Sequence, residues 1–213
     1  KGDGNIYESQ RVGSTWSKPK KMDDIISSPY HESSAWYSPD GKRLYFISNR
    51  PAPGSKDKRE KDKDLYYVTW DPIKKKWDNL VRLPDNVNSV YDEAGVFIHP
   101  DGKTIYFSSK GHNTMGGYDI FSTEMQADGT CSDPVNLGSP INTPDDDAFF
   151  VLTASGRYGY MTSFREDGLG EKDLYKITFL GEEKTPLLSS EDILLAGSDI
   201  VMPEKVAEPI VEE

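Results

Sequence analysis

Short apolar runs punctuated by Gly, Pro and Asp set the rhythm of this chain. Leu44 to Ile47 and Ile105 to Phe107 are continuous and rich in aromatics, the pattern of strands buried on both faces. Ser33 to Tyr37 forms another such segment and runs into Pro39-Asp40-Gly41. There proline presets φ, aspartate accepts local hydrogen bonds and glycine is free to take φ > 0. That order predicts a hairpin turn. Leu65 to Val68, Ile120 to Ser122 and Leu174 to Thr178 predict a third strand, and the segments around Trp16, Trp77 and Cys131 a fourth.

These pieces recur. Ser38-Pro39-Asp40-Gly41-Lys42-Arg43-Leu44-Tyr45-Phe46 returns as His99-Pro100-Asp101-Gly102-Lys103-Thr104-Ile105-Tyr106-Phe107, and in worn form from Thr153 to Ser163. Asp64-Leu65-Tyr66, Asp119-Ile120-Phe121 and Asp173-Leu174-Tyr175 follow the copies, and Asn5-Ile6-Tyr7 precedes them. From Trp16, Trp77 and Cys131 to the next Pro39, Pro100 or Ala154 the separation is 23 residues each time. Four short antiparallel strands per unit at this spacing predict β-propeller blades, with a sandwich of duplicated meanders as the alternative. The expected fold is therefore all-β, a partial β-propeller of about three to four blades with an extended C-terminal linker. Its units are strands c and d of an incomplete first blade over 1–23, blades over 24–83, 84–137 and 138–190, and an acidic linker over 191–213. Thr185 to Leu188 falls where a last d strand would begin. A ring needs at least about sixteen strands, so the chain is expected to be part of a larger propeller.

Composition narrows the functions. Of 213 residues 36 are acidic and 25 basic, a net charge of -11 that argues against sequence-independent binding to nucleic acid. No stretch approaches the roughly 18 consecutive apolar residues of a membrane helix, so no direct membrane insertion is expected. Leu180 to Glu213 carries nine acidic and two basic residues, a charge of -7, which leaves the repeats nearly neutral. The single cysteine, Cys131, excludes an internal disulfide.

The motif from Ser38 to Phe46 resembles the TolB-type, WD40-like propeller repeats. Pro134-Val135-Asn136-Leu137-Gly138, Ile141-Asn142-Thr143 and Gly116-Gly117-Tyr118-Asp119-Ile120-Phe121 are similar to a narrower set, the propellers of OmpA-family envelope proteins of Bacteroidetes, among them the PorE-type proteins of type IX secretion. That resemblance covers about Gly4 to Phe179. It implies a periplasmic protein associated with the outer membrane, a propeller that docks other envelope proteins, and a grip on peptidoglycan through a separate domain.

No catalytic constellation stands out. His31, His99 and His112 form no H-E-x-x-H pair and there is no G-x-S-x-G elbow, so the chain reads as non-enzymatic. Glu32, Glu93 and Asp147 recur just ahead of the first strand of each unit, preceded by His31, Asp92 and Asp146. They could converge on a Ca²⁺ ion, but recurrence in every unit favours carboxylates bonded within their own turns. Asp145, Asp146 and Asp147 form the densest metal candidate; otherwise no cofactor is expected.

In a meander the long connections share one face, and loops on a rigid scaffold carry binding residues. Tyr30, Tyr91, His112, Met115, Phe164 and Arg165 on that face are the expected partner contacts. A second reading is a glycan or peptidoglycan-fragment site using Trp36, the tyrosines and acidic loops. A third, a glycosidase, would need paired carboxylates in a funnel.

Overall fold

The computed structural model describes residues 4–56, 62–166 and 168–181; residues 57–61 in the long b to c connection, the segment around Thr185 and the linker lie outside them. All described regular structure is β. Ahead of the first full sheet, β1 (Tyr7–Glu8) pairs with β4 (Lys20–Lys21), and β2 (Arg11–Val12) with β3 (Thr15–Trp16), one long hairpin. Then come three antiparallel meanders: β5 (Glu32–Tyr37), β6 (Arg43–Ser48), β7 (Asp64–Asp71) and β8 (Lys76–Arg82); β9 (Glu93–Ile98), β10 (Thr104–Ser109), β11 (Asp119–Glu124) and β12 (Val135–Asn136); and β13 (Asp147–Leu152), β14 (Tyr158–Ser163) and β15 (Asp173–Thr178).

Each unit is a propeller blade, and its first strand is innermost, since β5 packs on β9 and β9 on β13. Alternation explains the continuous apolar runs. Leu44 and Phe46 of β6 face one neighbouring sheet and Tyr45 and Ile47 the other, so both pleat faces are buried. Ile105 and Phe107 likewise join Leu65, Tyr67 and Phe121, while Tyr106 and Ile120 pack with Phe150 and Met161. The apolar core is thus three layers between blades. Cys131 sits half-buried against the middle layer, bridged to Met125, and burial pushes its thiol up to about 11.

Turn chemistry repeats with the blades. The Ser38 N–H donates to the Arg43 carbonyl at 2.9 Å, Asp40 Oδ1 accepts from the Lys42 N–H at 3.1 Å, and Gly41 has φ +67°. The worn copy keeps this turn. Thr153 donates to the Tyr158 carbonyl at 2.8 Å, Ser155 Oγ accepts from Arg157 N–H in the aspartate's place, and Gly156 has φ +73°.

Each innermost strand also carries a bulge at the same place. Ser34, Gly95 and Phe149 have φ of 41°, 51° and 56°, and the register shifts beside each. The bulge lets neighbouring strands meet: Ser34 Oγ accepts the Val96 N–H at 3.0 Å, and a Cβ at Gly95 would lie 3.0 Å from Phe149 N.

Two polar latches join consecutive blades. Asp92 Oδ1 accepts the Lys63 N–H at 3.0 Å while the Glu93 N–H donates to the Lys63 carbonyl at 2.8 Å. His31 with Glu32 holds Gly4, and Asp146 with Asp147 holds Tyr118, in the same way. Asn88 brackets Leu65, its Oδ1 accepting the N–H at 2.7 Å and its Nδ2 donating to the carbonyl at 3.1 Å. Asn142 repeats this on Ile120 and Ser27 on Ile6. Every held residue lies at the start of the preceding blade's third strand, or at the matching position of the first hairpin.

Candidate functional site

The face carrying the tight turns opens into a cleft of about 590 Å³ between the N-terminal hairpin, β5 and β9. Its walls come from the end of β5, where Trp36 and Tyr37 follow one another and so point to opposite faces of the strand. Trp36 packs edge-on against Phe97, ring centroids 4.9 Å apart, yet keeps 39% of its surface exposed. Tyr37 turns toward the hairpin and donates its hydroxyl to Glu8 Oε1 at 3.1 Å. Burial, and then the adjacent carboxylate, push the Tyr37 phenol up to about 12, so it stays a donor at any physiological pH.

Met22 and Leu44 form the floor and Pro39 and Pro100 of the two a to b turns the rim. The lining is chiefly apolar, with Glu8 and the Tyr37 hydroxyl as an oriented polar pair, the makeup of a binding cleft. Lys42 and Lys103 follow the rim prolines in sequence, and Lys20 and Lys21 pair with Glu8 and Tyr7. The geometry suits an apolar segment.

The residues expected to bind on the long-loop face separate into two groups. His112 and Arg165 are engaged within the chain. His112 donates Nε2–H to the Val87 carbonyl at 3.0 Å and sets its ring edge against Phe121. Arg165 donates to the carbonyls of Pro140 and Ile141 at 2.9 and 3.1 Å and lies over the Tyr175 ring. Arg50 explains both: its guanidinium bonds the carbonyls of Ile25 and Ile26 and pairs with buried Glu32 at 2.8 Å. All three brace the loop that enters a blade. Tyr91, Met115 and Phe164 are exposed and Tyr30 is half-buried. Phe164 lines a polar hollow of about 560 Å³ with Asp145, Asp146, Glu171 and Lys172.

The aspartate run diverges. Asp147 Oδ2 accepts from the Thr143 N–H at 2.6 Å and hydroxyl at 2.8 Å, Asp146 bonds the Tyr118 N–H and Lys172 Nζ, and Asp145 is exposed. Ser28 with Glu32 and Ser89 with Glu93 repeat the Thr143 arrangement. Glu32, Glu93 and Asp147 serve their own turns while Asp146 holds the preceding blade, and among the described residues no three His, Cys, Asp or Glu side chains are grouped to hold a metal.

In blade two Gly111 stands where blade one has Arg50, so Glu93 lacks a guanidinium partner. Its Oε1 accepts from Ser89 and Ser109, its Oε2 has no partner among the described residues, and burial pushes its pKa up to about 7.

Sequence reasoning singled out Trp36 but not the cleft. The legible signal was the adjacent aromatic pair Trp36-Tyr37, which departs from a one-sided strand. No protein-family profile matches the chain. No curated protein matches it either. Among solved structures it is similar to a TolB structure from Agrobacterium tumefaciens, with 18% identity and a TM-score of 0.51 over 84% of this chain and 59% of that one. It is also similar to a puromycin-hydrolysing peptidase from Mycobacterium tuberculosis, with 16% identity and a TM-score of 0.52 over 89% of this chain and 31% of that one. The chain therefore spans less than two thirds of either neighbour, and what it shares with them is the propeller fold.

Proposed function

We propose that the chain is a non-enzymatic docking platform for proteins of the bacterial envelope, and that the cleft under Trp36 is its binding site. The observation that carries this reading is an apolar, aromatic-walled cleft held open on the rigid turn face of packed blades. Such a surface captures an extended apolar segment without rearranging, which keeps the ordering cost of binding low. The resemblance of the repeats to PorE-type propellers supports a setting in the periplasm at the outer membrane, within type IX secretion. Non-enzymatic action is supported by how the polar residues are used, since His31 and His112 hold backbone groups and the Cys131 thiol is far from ionising at neutral pH. Tyr91, Met115 and Phe164 on the opposite face offer a second contact area.

The test compares wild type with Trp36→Ala and Tyr37→Phe variants for co-purification with outer-membrane secretion components from native cells. Loss in Trp36→Ala with an unchanged melting temperature supports the proposal. Retained co-purification would move the site to the loop face, where Tyr91→Ala with Phe164→Ala becomes the decisive pair. Calorimetry with peptidoglycan fragments separates the glycan reading, in which Trp36→Ala loses sugar and not protein.

A further inference from the structure

We propose that the cleft captures its partner by strand addition: an extended segment of the partner pairs with the open edge of β1 and sets one aliphatic and one tyrosine side chain into the cleft. The inference rests on the cleft being the docking site and adds the form and sequence pattern of what docks. Its first support is the edge itself. β7 and β11, the strands that match β1 in blades one and two, pair on both edges, with β6 and β8 and with β10 and β12. Among the described residues β1 pairs on one edge only, with β4. The Ile6 carbonyl accepts the Met22 N–H at 3.0 Å and Glu8 pairs with Lys20, so both bond toward β4. Backbone groups alternate sides along a strand, and Tyr7 between them therefore aims its N–H and C=O at the other edge. That edge faces the cleft. The successive residues from Ile6 to Ser9 all line it, which side chains of alternating direction could not do from one face of the strand.

The repeat shows what fills the equivalent space elsewhere. Between blades one and two, Ile47 and Tyr45 of β6 stand opposite Leu65 and Tyr67 of β7 and are 0% and 3% exposed. Between the hairpin and blade one, Ile6 takes the place of Leu65 and Glu8 that of Tyr67, and the cleft lies where Ile47 and Tyr45 would be. Exposure follows the same division. Phe97 is 4% exposed beneath Trp36, whereas Trp36, its counterpart one blade earlier, keeps 39%.

Chemistry is the third support. A segment in the register of β6 sets one side chain opposite Ile6 and the next but one opposite Glu8. An aliphatic group opposite Ile6 meets the apolar floor. Glu8 is the one charged residue of the lining and already accepts the Tyr37 hydroxyl, so a tyrosine opposite it adds a second donor to the same carboxylate. All three second strands carry tyrosine at this position, as Tyr45, Tyr106 and Tyr160. In such an arrangement main-chain bonds give affinity and alternate side chains give specificity.

The experiment titrates the protein with a synthetic peptide of residues 42–49, Lys-Arg-Leu-Tyr-Phe-Ile-Ser-Asn, followed by calorimetry and by residue-resolved hydrogen exchange. The peptide should bind and slow exchange of the Tyr7 amide in step with occupancy. N-methylation at the peptide's Phe46, the residue set opposite Tyr7, should weaken binding about tenfold, and so should Tyr45→Ser with Ile47→Ser in the peptide. Equal binding of the N-methylated peptide, or a Tyr7 amide that keeps its free rate at saturation, overturns strand addition and leaves an apolar docking cleft. Absence of binding by the unmodified peptide overturns it too, and co-purification with Trp36→Ala then decides the docking reading on its own. Peptide binding that weakens as protein concentration rises also overturns it, since a second copy would then hold the edge.

Discussion

Glu93 shows how one missing side chain changes the chemistry of a repeated position. Blade one neutralises Glu32 with Arg50 inside the protein, whereas blade two offers Glu93 only hydroxyls and an N–H. With its pKa raised from an ordinary 4.5 to about 7, the folded protein holds this proton more tightly than the unfolded chain does. Its contribution to stability is therefore complete below about pH 4.5 and is lost as pH rises through about 7. The loss is at most about 3 kcal/mol. Glu93→Gln should flatten the fall in melting temperature between pH 5 and 8, and parallel profiles for the two proteins would refute the assignment. Arg50→Met should do the reverse in blade one, leaving Glu32 buried without its counter-ion at a cost of about 3 to 5 kcal/mol. A denaturant midpoint unchanged in Arg50→Met would contradict this.

At the scale of elements, the innermost strands depend on a left-handed residue that their sequences do not announce. Ser34, Gly95 and Phe149 share neither size nor polarity, yet each sits at the bulge. What they share is the next strand's approach, a tertiary constraint, so periodicity could not reveal it. Gly95→Ala should lose about 1 to 2 kcal/mol from the backbone alone, with more from the contact with Phe149 N. Equilibrium unfolding measures it, and a neutral substitution would show that β9 can slide away. The turns were legible for the opposite reason. Pro39-Asp40-Gly41 encodes its conformation locally, and even Ala154-Ser155-Gly156 preserves it because Ser155 Oγ replaces the aspartate oxygen. The recurrent carboxylates were legible as turn-bonding groups. The asparagine latches were not, since nothing local says that Asn88 will reach the backbone of Leu65. The cleft lay between these cases, its aromatics visible and its shape fixed only by how the hairpin meets β5.

For the whole molecule, the latches make the blades depend on one another in one direction, each holding the one before it. Asn88→Ala removes three bonds, to the Leu65 N–H, the Leu65 carbonyl and the Leu83 carbonyl, and strands a buried donor. The expected cost is about 1 to 3 kcal/mol. It should appear as lost cooperativity between blades, read as separation of fluorescence and circular-dichroism transitions that coincide in the wild type. Coincident transitions in Asn88→Ala would mean that the apolar layers alone couple the blades.

Leu174 occupies the position of Leu65 and Ile120, which are fully buried, but it is 72% exposed and among the described residues nothing brackets it. Amide hydrogens will therefore exchange in an order written along the chain, Leu174 first, Leu65 and Ile120 far later. An amide that no described residue brackets is a reporter: whatever closes over that edge will announce itself by slowing one residue's clock.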